Sequence, residues 1–365
     1  MSTIGQWNGE ANAARRSLAL RYAVVWRELW LSEIGAKGVD NLGEDDGMAD
    51  GDLWAYLNGE LVRGDDAVLP LTDRGVQWGD AVYDSIRTYA GKPFQVPFRI
   101  DRFFRSLQYT RINPGITKDQ LAKATEEVVE ANMPLLGADE ELSINYYVSR
   151  GSMEMTDGRT PAGTVAIFCR LVGFTAFAEF YVRGGAAITP STRRTPPECV
   201  SPKAKIANKM NHFVADMEAK AYNPDAFAVM LDLEGNITEG TGSNFMFVSG
   251  GRIKVPDTRL VLSGADMDFI GELSSDMQIG SDEGTYTPYD VYNADEAFLT
   301  TNSFGILPIT SMNGLPIGDG KVGPVTRRLT EAWSDKVGSD FVTQALKHLD
   351  PELRETLEVE RAGAA

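Results

Sequence analysis

Cysteine and histidine are nearly missing from this 365-residue chain: only Cys169, Cys199, His212 and His348 occur. Without a CxxC spacing, neither a disulfide scaffold nor a His/Cys metal cluster can be built, so no metal is expected. The two thiols read as buried structural residues of a reducing cytoplasm. Positive charge is also scarce. Against 52 Asp and Glu stand 35 Lys and Arg, a formal net charge of -17, and such a field repels nucleic acid and anionic membrane. A phosphate-bearing ligand must then be held by local positive features, and the expected partner is a small molecule. Long apolar runs are missing as well. Residues 11–34 carry apolar positions at helical spacing, but Arg15, Arg16, Arg21 and Arg27 interrupt them. The segment is too broken for a membrane span or a secretory signal. It reads as an appended amphipathic helix, followed over residues 40–52 by an acidic linker.

What is present is a chain that is 43% hydrophobic, long enough for more than one compact domain. From residue 53 the pattern changes to short alternating segments, and Asn58-Gly59 between two of them is a hairpin signal. Strands are expected over 81–90, 142–148 and 164–172, and helices over 99–111 and 118–136. That makes a small α/β domain over 53–172. A Gly- and aromatic-rich passage, 173–185, links it to a larger domain, 186–365. There a helix is expected from about Asn208, with Met210, Phe213, Val214, Met217 and Ala221 on one face. Further strands fall at 226–233, 244–248 and 297–301, with helices at 266–277 and 324–336. Glu239 is expected on a short link between strands.

Lys205 and Glu239 carry the most chemistry. Lys205 lies in Ser201-Pro202-Lys203-Ala204-Lys205-Ile206-Ala207-Asn208, just before a helix, and Glu239 in Ile237-Thr238-Glu239-Gly240-Thr241-Gly242-Ser243-Asn244. An amine and a carboxylate are the two groups that pyridoxal-phosphate chemistry requires, one to bond the cofactor aldehyde and shuttle a proton, the other to keep the pyridine nitrogen protonated. Three further motifs follow a fixed order: Gly79-Asp80-Ala81-Val82-Tyr83-Asp84, Phe98-Arg99-Ile100-Asp101-Arg102-Phe103, and Gly318-Asp319-Gly320-Lys321-Val322-Gly323-Pro324-Val325-Thr326. Together, over about residues 53–336, they resemble the class IV (fold-type IV) pyridoxal-phosphate aminotransferases. That family includes branched-chain and D-amino acid aminotransferases, (R)-amine transaminases and aminodeoxychorismate lyases.

The resemblance implies an α/β, two-domain enzyme with a small domain and a larger pseudo-barrel domain, active as a cytoplasmic homodimer with its site near the interface. It implies transfer of an amino group between an amino acid or amine and a 2-oxo acid. Lys205 becomes the Schiff-base lysine, with Lys203 and Lys209 as rivals; the interval from Lys205 to Glu218-Ala219 matches the family. Glu239 pairs with the pyridine nitrogen, and Ser243 and Asn244 belong to the same cofactor motif. Arg102 is expected to fork the cofactor phosphate, with Arg99 and Arg105 as alternatives on the same helix. The remaining phosphate holders correspond to Gly264-Ala265-Asp266 and Asn302-Ser303. Asp266 stands where the family normally has Thr, and an ionised carboxylate about 4 Å from a phosphate charge costs on the order of 4 kcal/mol at an effective dielectric near 20. Asp266 is therefore expected to turn away as a helix cap, with contact to phosphate through a proton and a weakened cofactor affinity as the alternatives. Tyr83 and Trp78 are expected to line the substrate pocket, Arg159 to trap a substrate carboxylate, and Arg87 to serve either substrate or structure. Two alternatives stand beside the transaminase: an aminodeoxychorismate-type lyase with the same cofactor, and a cofactor-poor binding protein.

Overall fold

A computed structural model describes residues 52–152 and 163–363, which form one compact unit. The amphipathic segment, nearly all of the acidic linker and Arg159 lie outside the described residues. Strand β1 (Trp54–Leu57) turns into β2 (Glu60–Arg63) through Asn58 and Gly59, both at positive φ as a tight hairpin of right-handed twist demands. After α1 (Arg74–Trp78) come β3 (Ala81–Tyr89), β4 (Lys92–Pro93), α2 (Val96–Thr110), α3 (Lys118–Asn132), β5 (Leu142–Ser149) and β6 (Val165–Leu171). The strands form one antiparallel sheet in the order β2-β1-β6-β5-β3-β4. In β5 every second side chain, Leu142, Ile144, Tyr146 and Val148, is buried, the period-2 signature of a sheet with one covered face. Helix α2 packs on β3 and α3 packs on α2. Thr117 and Gln120 close a reciprocal capping box at the start of α3.

The expected linker is not featureless: it holds a 3₁₀ turn at Phe174–Ala176 and α4 (Phe180–Arg183) before β7 (Gly185–Ile188). Then follow α5 (Met210–Tyr222), β8 (Phe227–Leu231), β9 (Ile237–Gly240), β10 (Asn244–Ser249), β11 (Arg252–Pro256), α6 (Ala265–Asp276), β12 (Ser281–Gly284), α7 (Pro288–Tyr292), β13 (Glu296–Thr301), β14 (Gly305–Met312) and β15 (Leu315–Pro316). Helices α8 (Pro324–Val337), α9 (Phe341–Lys347) and α10 (Pro351–Gly363) complete the chain. The second sheet runs β12-β11-β10-β13-β14-β7-β8-β9, and β9 bonds back to β10 through Glu239 and Asn244. That last pairing closes a barrel-like ring. Trp333 of α8 is fully buried against Phe94, Phe269 and Phe341, so truncating it to Ala would cost about 3–5 kcal/mol.

Three expectations need correction. Glu239 lies within β9, all four residues of which are buried, and not on a link between strands; ring closure onto β10 recruits it into the ladder. In α5 the apolar positions Met210, Phe213 and Met217 are exposed, while His212, Ala215 and Ala219 face inward. The inward face holds two alanines and the polar His212 where α5 packs on β8, so apolar periodicity alone pointed to the wrong face. Cys169 is buried as expected but Cys199 is exposed.

Candidate active site

Lys205 sits in the loop before α5, and that loop is tied to the first sheet at two backbone points and to α2 at a third. Tyr83 N–H donates to the Lys205 carbonyl at 3.0 Å, and Ala207 N–H to the Ala81 carbonyl at 2.9 Å. Lys205 N–H donates to Ser106 Oγ at 3.0 Å, so α2 and β3 together fix its backbone. The side-chain ammonium lies 4.6 Å from the Tyr83 ring centroid, where an aromatic face favours a cation without neutralising it. Lys205 lines a cavity of about 290 Å³, also walled by Tyr83, Arg102, Glu239, Asn244 and Asp266. Lys209 lines the same cavity. Burial, reinforced by Lys205, pulls the Lys209 amine down to about 7.

Glu239 is held on both oxygens. Arg194 Nε donates to Oε1 at 2.9 Å and Leu262 N–H to Oε2 at 2.9 Å, and His212 Nε2 lies 4.0 Å from Oε1. Burial by itself would raise its pKa. The opposing pull of His212, Arg194, the Leu262 amide and Lys209 wins and lowers it to about 2. The carboxylate is therefore ionised across the whole neutral range. Burial lowers the pKa of His212, which leaves its ring neutral above its ordinary value. Arg194, His212 and Lys209 were not among the residues singled out for the carboxylate, since nothing in the local sequence ties Arg194 to a residue 45 positions away.

Arg102 does not wait with an open fork. Its Nε and Nη2 donate to the two oxygens of Asp84 at 2.8 and 2.6 Å, and its Nη1 to the Ser263 carbonyl at 3.2 Å. Three of a guanidinium's five N–H groups are so occupied, leaving two for an anion. Asp84 is fully buried; burial pushes its pKa up, and Arg102 more than reverses that. One turn earlier on α2, the buried Arg99 donates through Nη2 to Asp266 Oδ1 at 2.6 Å. Asp266 is not the cap of α6: Gly264 occupies that position, and no side chain caps the helix there. Asp266 is thus not the expected helix cap: it stays in the cavity wall, its carboxylate engaged by Arg99.

Other singled-out residues separate into those at the cavity and those away from it. Ser243, Asn244, Gly264 and Asn302 line it. Ala265 is buried behind the lining, while Ser303 and Trp78 are exposed and away from it. Arg74 stacks over the Trp78 ring at 5.2 Å, which accounts for that indole locally. Arg87 is fully buried and outside the cavity lining, donating through Nη1 to the Ser303 carbonyl at 2.9 Å and covering the Tyr89 ring at 4.1 Å, with its Nη2 left without a partner. Thr300 and Thr301, which the sequence did not single out, also line the cavity.

Residues 81–312 match the amino-transferase class IV family, nearly two thirds of the chain. The chain belongs to the class IV aminotransferases. It is 31% identical over 282 residues to the putative branched-chain-amino-acid aminotransferase of Methanocaldococcus jannaschii, covering 77% of this chain and 95% of that protein. It is 29% identical over 289 residues to the D-alanine aminotransferase of Staphylococcus aureus, covering 79% and 99%. Among solved structures, the branched-chain aminotransferase of the archaeon Thermoproteus uzoniensis with norvaline superposes with a TM-score of 0.71 at 26% identity, covering 80% of this chain and 96% of that one. The small sheet and the barrel-like ring are thus the fold-type IV arrangement, and the lyase and cofactor-poor alternatives gain no support.

Class IV aminotransferases use pyridoxal 5'-phosphate, and the residues here fit it. Arg99 Nε, Thr300 Oγ1 and Asn302 Nδ2 are buried without a hydrogen-bond partner, and all three residues line the cavity. Orphaned polar atoms of this kind are costly unless a ligand satisfies them. Asn302 is already oriented, its Oδ1 accepting from Arg87 N–H at 2.9 Å. At Gly264 an added Cβ would come within 2.0 Å of Asn244 Oδ1, so only glycine lets the start of α6 approach this wall. The α6 amides there have no intrahelical acceptor and favour an anion.

Proposed function

We propose that this class IV aminotransferase transfers an amino group from an amino acid to a 2-oxo acid, with Lys205 as the catalytic amine, Glu239 as the partner of the pyridine nitrogen and Arg102 as a phosphate ligand. The observation that carries the reading is the shared cavity of Lys205 and an ionised Glu239, each held by backbone bonds from a different part of the fold. When bound, the cofactor supplies the electron sink that makes the donor's α-proton acidic. Lys205 Nζ then moves that proton, a general acid–base role worth typically about 10²–10⁴-fold. Glu239, unable to take a proton near neutral pH, keeps one on the pyridine nitrogen. Arg102, the start of α6, Ser243, Asn244 and Asn302 orient the bound group, and Tyr83 walls the substrate side beside the Lys205 amine.

Amino acids are favoured as donors over simple amines because the relatives named above are aminotransferases of branched-chain amino acids or of D-alanine. A homodimer is part of this reading: Met210, Phe213 and Met217 leave an exposed apolar stripe on α5 that a second copy would cover. A cytoplasmic location is part of the same reading, for a chain with only two cysteines. Loading the protein with pyridoxal 5'-phosphate and offering L-leucine, D-alanine and (R)-1-phenylethylamine with a 2-oxo acid acceptor tests the reading. Conversion of an amino acid with stoichiometric formation of the new amino acid supports it. Conversion of the amine alone, or release of a keto product over many turnovers without an acceptor, contradicts it.

A further inference from the structure

The arginines and carboxylates around the phosphate end of the cavity are matched one for one. Arg102 is paired with Asp84 and Arg99 with Asp266, and all four side chains are buried. Their formal charges sum to zero, so a phosphate arriving here meets N–H donors in a charge-neutral wall. Asp266 is the cause of that balance. It is the second residue of α6, where the first-turn amides would otherwise face an anion unopposed. Left unpaired, its carboxylate would repel phosphate. Arg99, at helical spacing from Arg102 on the same face of α2, engages Oδ1 through Nη2 and keeps a partnerless Nε in reserve.

We propose that Arg99 is a positioning residue for phosphate recognition, required because this chain carries Asp266: the pair holds the carboxylate on Arg99 and sets the strength of the phosphate grip. This rests on the cofactor reading above. Two consequences separate it from a merely structural ion pair, for which removing either partner would only loosen the fold. Removing the negative charge while keeping an acceptor, in Asp266→Asn, gives the wall one net positive charge and tightens phosphate binding. Removing the positive charge, in Arg99→Met, exposes phosphate to Asp266 and weakens it.

The test is a fluorescence titration of the cofactor-stripped protein with pyridoxal 5'-phosphate and, separately, with pyridoxal, which lacks the phosphate. For pyridoxal 5'-phosphate the expected dissociation constant falls roughly tenfold in Asp266→Asn, rises roughly tenfold or more in Arg99→Met, and returns near wild type in the double variant. The pyridoxal constant should stay within about threefold across all four proteins, since no charge changes at the ring end. The proposal is overturned if pyridoxal weakens in parallel with its phosphate, if the double variant is as weak as Arg99→Met, or if Asp266→Asn binds more loosely than wild type. Should Arg99→Met fail to fold, the Asp266→Asn constant decides by its direction alone. Wild-type protein that binds neither compound would overturn the cofactor reading and this proposal with it, whereas tight wild-type binding unmoved by every variant would overturn only the pair.

Discussion

Arg194 Nε donates to Glu239 Oε1 at 2.9 Å across 45 residues of sequence, joining the loop ahead of Lys205 to the strand that closes the barrel-like ring. The contact fixes the orientation of Glu239, whose pKa, raised by burial but pulled down by His212, then Arg194, the Leu262 amide and Lys209, falls to about 2 against an ordinary 4.5. Because the folded value lies below the unfolded one, the stabilisation is fully present above pH 4.5 and is lost as pH falls toward 2. In the cofactor-free protein, Glu239→Gln should flatten the fall of stability with acid within that window, as read by urea unfolding at a series of pH values. In the loaded enzyme the same substitution should lower kcat on the order of 10²-fold, through the lost charge opposite the pyridine nitrogen, with the cofactor still bound. A variant as active as wild type would remove Glu239 from its role.

Lys209 is the second amine of the cavity, and its pKa of about 7 arises from burial first and Lys205 second. Isotope-edited NMR of reductively methylated protein should find one lysine titrating near 7, and Lys205→Ala should move it upward by removing the neighbouring charge. The sign for stability is the reverse of Glu239: a lysine lowered from 10.5 to about 7 in the folded state destabilises at neutral pH and is relieved as pH rises. Lys209→Met should therefore raise the melting temperature at about pH 7 but not at about pH 10.5. An unmoved titration in Lys205→Ala would contradict the electrostatic coupling.

Gly264 is predicted to tolerate no side chain. The Cβ of Gly264→Ala would meet Asn244 Oδ1 at 2.0 Å, and Asn244 in turn donates to the Leu262 carbonyl at 2.9 Å. The displaced amide would cost about 1–3 kcal/mol. Calorimetry should show a lower melting temperature, and the dissociation constant for pyridoxal 5'-phosphate should rise by roughly tenfold or more. Unchanged values of both would show that the start of α6 is not packed as described.

Much of this site is legible in the sequence because its residues sit in runs with local meaning. Asn58-Gly59 marks a hairpin through its own backbone preference, and the alternation of β5 marks a covered sheet face. Lys205, Glu239, Arg102, Asn244 and Asn302 fall in motifs whose order can be read directly, and all five line one cavity. What cannot be read are pairings between distant positions. Arg99 and Asp266 are 167 residues apart, so local sequence offers the carboxylate a helix cap and hides the arginine that takes it. Likewise the small residues of α5 face inward because of β8, a neighbour that helical periodicity does not contain. Trp78 is a different case: its partner Arg74 lies one helical turn away on α1, a spacing that the sequence does contain.

The central claim is that Lys205, and neither Lys203 nor Lys209, is the amine that engages the cofactor. The most direct measurement is borohydride treatment of the protein loaded with pyridoxal 5'-phosphate, followed by peptide mass spectrometry to find the phosphopyridoxyl group, with Lys205→Ala treated alongside. The account predicts the label on Lys205 in wild type, and loss of both label and transaminase activity in Lys205→Ala. A label on Lys203 or Lys209 in wild type, or undiminished turnover in Lys205→Ala, would contradict it.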